Sequence, residues 1–324
     1  MARFVARRLA FFALTLFLTS LLIFALARVL PGNVARVILG REASAEAVAE
    51  LEAELGLDDP LPMQYLAWGW GFVRGDWGES YAFRGQDVRA LVTERATNSL
   101  RLAGVALAIS LPISLLLGII AGLTEDKLPD NIISVFSLSV VSLPEFVTGL
   151  FLINTVALRW ADNPVARQVG WFPSSSAVRA DASFREMLPS LWLPAIAATL
   201  VLLAYIARLT RAGVIEELKR DYVRTATLKG LPYWVVIIKH VLRNALLPTV
   251  TVIAISTGWL VSGLVVIEYV FGFPGLGSLL IGAINGRDLP MIQAIVMVTV
   301  AIILVANFLA DFLYAVLNPR IKLG

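Results

Sequence analysis

The sequence predicts an all-α membrane protein with six transmembrane helices and an extracytoplasmic segment after the first. Three observations carry that prediction. Of 324 residues, 58% are hydrophobic and 16% charged, with a mean hydropathy of +0.79. A soluble domain carries about 25% charged residues, so the apolar excess is more than one core and its surface absorb. Six stretches are each long enough to cross ~30 Å of hydrocarbon, which takes about 20 helical residues. Lys and Arg gather in alternate connections, as they do in short cytoplasmic loops.

The predicted spans are 9–27, 102–124, 131–158, 187–207, 244–267 and 289–310; only the third contains a charge, Glu145. The first is longer than the 7–15 residues of a signal-peptide core, so it reads as a retained helix. Six spans place both termini on one face. That face receives Arg3, Arg7 and Arg8, Arg320 and Lys322, and the segment 208–243 with eight basic against three acidic residues. The positive-inside rule makes it cytoplasmic. The opposite segment, 31–98, holds six Arg and eleven acidic residues; the short loop with Glu125, Asp126, Lys127 and Asp130 runs against the rule. The chain divides accordingly into an N-terminus and first helix (1–30), an extracytoplasmic segment (31–98), and a transmembrane core (99–324) with a cytoplasmic loop at 208–245.

Composition excludes several chemistries. With no cysteine there is no structural disulfide, thiolate catalysis or cysteine metal site. A single histidine rules out a multi-histidine metal centre. Gly-Lys never occurs, so there is no Walker A loop to hold ATP phosphates. The net charge of +3 is read through membrane topology, not nucleic acid.

Two connections carry local pattern. In the outer segment, residues 44–55 read SAEAVAELEAEL, with Ser44 as N-cap and Gly56 as stop. Val48, Leu51 and Leu55 fall on one face, which predicts a short amphipathic helix. Trp68, Trp70 and Trp77 follow, with Tyr65 and Tyr81. They read as an interfacial aromatic belt or as part of an outer docking platform. In the inner loop, Glu216 and Arg220 form a favourable i, i+4 pair continuing the fourth span. A second short helix is predicted near 222–229, with Gly230 as an αL cap. Pro232 then opens a helix rising into the fifth span. The result is a compact basic knob facing the cytosol.

The order of residues in that knob resembles the EAA loop of ABC importer membrane subunits, whose core is E-A-A-x-x-x-G. Here Arg224 and Thr225 replace the glutamate and first alanine, followed by Ala226 and Gly230. DYVRTATLKG followed by HVLRNALLP is similar to the variant in dipeptide/oligopeptide-type permeases. Further similar stretches are MARFVARRL, LPGN (30–33), LGLDDPLPMQY (55–65), RGDWGES (74–80), SLPEF (142–146), EYVFGFPGLG (268–277) and DFLYAVLNPRIK (311–322). The resemblance therefore covers essentially the whole chain. It implies a type I ABC importer permease fold and half of a translocation pathway for di- or oligopeptides, glutathione, nickel or an oligosaccharide. It implies a second homologous permease, two cytosolic ATP-binding subunits that hold ATP and Mg, an extracytoplasmic solute-binding protein, and residence in the bacterial inner membrane. This chain itself would bind no cofactor and hydrolyse nothing.

On that reading Asp221, Tyr222, Arg224, Thr225, Ala226, Lys229 and Gly230 couple to the ATPase. Thr225 and Ala226 are small enough for close approach. Arg224 and Lys229 can pair with carboxylates, and Tyr222 either joins them or packs on the chain's own helices. Glu145, beside Pro144 in the third span, is a candidate pathway residue, because an intramembrane ionisable group is functional by default; pairing with another span is the structural alternative. Glu268, Pro274 and Gly275 lie at a Gly/Pro-rich re-entrant turn or outer gate. His240 reads as a polar helix residue, Asp311 as an inner-interface residue, and Ser99 and Arg101 as structural. A self-sufficient secondary transporter would show internal repeats and need no knob. A membrane-embedded enzyme would be left with carboxylate chemistry on Glu145 and Glu268.

Overall fold

A computed structural model describes residues 2–29, 42–54, 56, 58–83, 85–161, 172–179 and 182–317, together with positions 36 and 39. The stretches 30–33 and 318–322 quoted above lie outside the described residues. Among those described there is no strand, only one isolated bridge between Glu79 and Asp87. In chain order the helices are α1 (Ala2–Val29), α2 (Ala45–Glu54), α3 (Leu61–Arg74), α4 (Val88–Leu123), α5 (Leu128–Val141), α6 (Glu145–Leu152, continued through a π-helical Ile153–Ala157 to Leu158–Ala161), α7 (Phe184–Leu218), α8 (Asp221–Leu228), α9 (Tyr233–Val235, a π-helical Val236–Leu242, then Arg243–Phe271), α10 (Leu276–Asn285) and α11 (Leu289–Leu317). Among the described residues four helices are long and apolar enough to cross a membrane, and the number is up to six when each of two broken pairs counts as one crossing.

Two compact units result, Met1–Asn98 with Gly275–Ile302, and Ser99–Pro274 with Ile303–Gly324. In the first, Ser44 Oγ accepts from the Ala47 amide at 3.2 Å and caps α2, while Gly56 (φ +62) turns the chain beyond it. Polar and aromatic contacts join α1 to α3. Ser20 and Tyr65 share a 2.7 Å hydroxyl contact, and Phe24 meets Tyr65 edge-on at 5.4 Å. The ladder continues through Trp68 and Phe72 to Trp77, stacked on Phe72 at 4.8 Å. Trp68 and Trp77 are thus internal packing groups; the interfacial-belt reading suits Trp70, which is 59% exposed. Val88, Val92, Leu279, Ala283 and Met291 form the core beneath. Buried Asp288 fastens the turn after α3: its carboxylate accepts from Ser80 Oγ (2.5 Å) and the Ala82 amide (3.1 Å) while capping α11 at the Met291 amide (3.2 Å).

In the second unit α7 is the central helix, with Leu191, Ala195, Leu202 and Ile206 among its buried residues. A capping box starts it: the Ser183 amide donates to Glu186 Oε2 at 2.8 Å and Ser183 Oγ accepts from the Glu186 amide at 3.4 Å. Glycines let neighbouring helices approach closely, as small residues do in membrane bundles. A Cβ on Gly213 would lie 2.6 Å from the Ala245 carbonyl of α9, and one on Gly118 as near the Ala207 carbonyl of α7. The third predicted span is two helices, not one. The chain bends by 105° between α5 and α6, at Ser142–Leu143–Pro144, because proline has no amide to continue the ladder.

Candidate functional site

The knob is built where α7, α8 and α9 meet. Arg220, extended at ψ 144, ends the first of these; its guanidinium pairs with Glu216 at 2.6 Å, as the i, i+4 spacing predicts. Asp221–Leu228 then forms α8, and Gly230 follows at φ +76. That is the left-handed conformation glycine adopts without a Cβ penalty. Pro232 caps the start of α9.

α8 has two different faces. Val223 and Ala226 are buried with Val214, Val236, Ile237, Val241 and Ala245, a small core formed by α7 and α9. Asp221, Tyr222, Arg224, Thr225, Lys229 and Gly230 are exposed. Ala226 therefore corrects one expectation. Its small side chain lets α8 settle on the chain's own helices, so it is not presented to a partner. Thr225 is exposed, with its hydroxyl donating back to the Asp221 carbonyl at 2.9 Å.

Tyr222 is the hub. Its hydroxyl contacts the Glu217 carboxylate on α7, accepts from Asn244 Nδ2 on α9 at 3.0 Å, and lies 3.2 Å from the His240 carbonyl. Burial, then the Glu217 carboxylate, holds the phenol above its usual pKa, so it remains a donor. His240 thus contributes its backbone and not its ring. It lies in the π-helical Val236–Leu242 segment, and π turns frequently mark functional sites. Glu217 and Asn244 were missed in the sequence: a mid-loop glutamate and asparagine carry no signal until the helices fold back.

A second tie lies under the knob. Arg211 of α7 forks onto Asp130 of α5, Nε to Oδ1 at 2.5 Å and Nη2 to Oδ2 at 2.7 Å. Asp130 is buried and also accepts from the Asp126 amide and Ser134 Oγ. Lys219 reaches Glu125 at 2.9 Å. The acidic loop that runs against the charge rule is thus paired with Arg211 of α7 and with Lys219 just beyond that helix.

The predicted pathway residues lie elsewhere in the fold. Pro144 is the N-cap of α6, and Glu145 stands in that helix's first turn. The Glu145 carboxylate faces Gly263 of α9, where an added Cβ would come within 3.1 Å of Oε2. No hydrogen bond or ion pair reaches it from the described residues. Glu268 is buried and accepts from Ser99 Oγ at 2.5 Å, and its carbonyl receives the Phe273 amide at 2.8 Å. Pro274 is half-buried and Gly275 caps α10. The re-entrant turn is thus a helix end, a left-handed Gly272 and a second helix. Asp311 is half-buried on α11.

Residues 114–323 match the family described as binding-protein-dependent transport system inner membrane component, and residues 1–84 match that family's N-terminal region. The chain belongs to this family. It is 36% identical over 322 residues to the glutathione transport system permease protein of Shigella flexneri, covering 99% of both chains. It is 37% identical over 326 residues to a putative peptide permease protein of Brucella ovis, again covering 99% of each. Against the dipeptide transport system permease protein of Escherichia coli it is 36% identical over 337 residues, with 99% of both covered. The protein is a permease subunit of an ABC importer with the type I permease fold, embedded in the membrane by several apolar helices.

Proposed function

We propose that this permease forms half of the pathway for di- or oligopeptides, or for glutathione, and that α8 transmits the motion of a cytosolic ATPase. The full-length similarity to dipeptide, peptide and glutathione permeases supports the substrate class. The observation that carries the coupling role is the two-faced α8. Its apolar side is fixed to α7 and α9, while Asp221, Arg224, Thr225 and Lys229 project outward. A partner grasping the outer side moves the transmembrane helices as a body. Tyr222 positions α8 between them, and Gly230 lets the chain turn away.

The complete importer has a second homologous permease, two ATP-binding subunits holding ATP and Mg, and an extracytoplasmic binding protein. This chain hydrolyses no ATP. Both termini are cytoplasmic in a bacterial inner membrane, with 31–98 outside; a cytosol-only reporter at Gly324 should give signal and one at Gly40 none. Glu145 lines the pathway at the α5–α6 break, with Glu268, Pro274 and Gly275 at the outer gate. Glu145→Gln should change transport and leave assembly intact. If assembly fails instead, Glu145 is a charge partner for another span. Competition of labelled dipeptide uptake in the reconstituted importer tests the substrate. Unlabelled peptides or glutathione should compete; competition only by nickel or an oligosaccharide would reject the peptide reading.

A further inference from the structure

Two cavities in the unit that contains α1 and α3 share a wall made by Ala67 and Trp68. The first, about 390 Å³, lies against Phe24 and Ala27 at the C-terminal end of α1. Its described lining includes Asp59 and Asp76, the latter's carboxylate also accepting from the Gly78 amide at 3.3 Å, and Trp68, Trp77 and Tyr81, with no Lys, Arg or His. Aromatic faces and carboxylates together suit an organic cation. The second, about 830 Å³, is an apolar groove along Leu16, Phe17, Leu66, Trp70 and Val73. Its two hydroxyls, Ser20 and Tyr65, satisfy each other at 2.7 Å. Ala27 and Leu16 are 11 residues apart on one helix, about 16 Å of axial rise, which is the reach of an acyl chain. Arg74 stacks on Trp70 of the groove wall at 4.5 Å and sets a positive charge beside it.

We infer that these paired cavities bind one phospholipid with an ammonium headgroup. The ammonium enters the carboxylate-lined aromatic cavity, an acyl chain follows the groove toward Leu16, and the phosphate lies at Arg74. Depth along α1 orders the two parts as a leaflet does, with the polar cavity at the helix end and the apolar groove farther in. A soluble cation would use the first cavity and leave the groove unfilled. The inference is independent of the transported solute.

The test uses tryptophan quenching by chain-brominated lipids, with the full chain reconstituted alone in vesicles. In one set the brominated lipid is phosphatidylethanolamine in a phosphatidylglycerol background; in the other the two are exchanged. Preferential quenching by the ethanolamine lipid, about fivefold, is expected, and it should be lost in Trp68→Phe with Trp70→Phe. Asp59→Asn with Asp76→Asn should bring the preference to about one while helicity is unchanged. Equal quenching by both lipids in the unaltered chain would overturn the proposal. So would a preference that survives the aspartate substitutions, or displacement of the lipid by a soluble dipeptide at millimolar concentration. None of these readings depends on ATPase partners, so they do not bear on the coupling role.

Discussion

The two short helices α8 and α10 are of similar length and opposite design. α8 buries only Val223 and Ala226 and turns charged and small residues outward. α10 buries Leu276, Gly277, Leu279 and Ala283. Asp288, at the end of α10, is buried and spends its carboxylate on Ser80, Ala82 and Met291. Tyr222, on α8, ties a helix that remains largely in water. α10 is packed over most of its surface, with only Ile284 and Asn285 at its end exposed, whereas α8 is held by one face and leaves the other open. Substitutions at α10 should therefore be read in stability, and substitutions on the outer face of α8 in transport.

The largest stability effect should fall at Asp288. Asp288→Ala strands Ser80 Oγ, the Ala82 amide and the α11 cap, and should destabilise the chain by about 3 kcal/mol, measured by thermal unfolding in detergent. A loss under about 1 kcal/mol would remove the contrast with α8. Asp130→Ala comes next. It leaves Arg211 facing an emptied site, but Arg211 is 30% exposed, so the loss should be about 2 kcal/mol. Tyr222→Phe removes one hydroxyl and should cost about 1 kcal/mol. It should still lower transport severalfold per ATP hydrolysed, because α8 is then less firmly tied to Glu217 and Asn244. Transport and hydrolysis falling in proportion would make Tyr222 a packing residue only. The smallest effect is Gly230→Ala. The added methyl meets nothing within 4 Å, so only the left-handed φ is penalised, at about 1 kcal/mol or less, and transport should survive.

The same contrast explains what was legible in the sequence. α8 was readable because its ends are chemical: Gly230 and Pro232 punctuate it, and a charged stretch amid apolar spans stands out. α2 was readable for the same reason, from Ser44 and Gly56. α10 lay hidden in a Gly/Pro-rich apolar run, because its N-cap is Gly275 supported by the Ser278 hydroxyl at 3.2 Å and it has no charged face. Pro144 was visible but was read inside a single span, because the 105° bend there depends on how α6 packs on α7 and α9. The π-helical segments, and the Tyr222 contacts with Glu217 and Asn244, arise only once distant helices meet. Ala226 shows the remaining limit: residue size suggested an interface, and only the packing shows which interface.

The central claim is that the outer face of α8 engages the ATPase. Thr225→Arg is its cleanest probe, since Thr225 is exposed and its hydroxyl bonds only within α8. The measurement is co-purification of the ATP-binding subunits with the permease from membranes, alongside its thermal unfolding midpoint. The account predicts an unchanged midpoint with ATPase association reduced about tenfold or more, since bulk and charge at an interface centre commonly cost over 1.4 kcal/mol. Full association together with normal transport would contradict it and leave α8 as a basic connector.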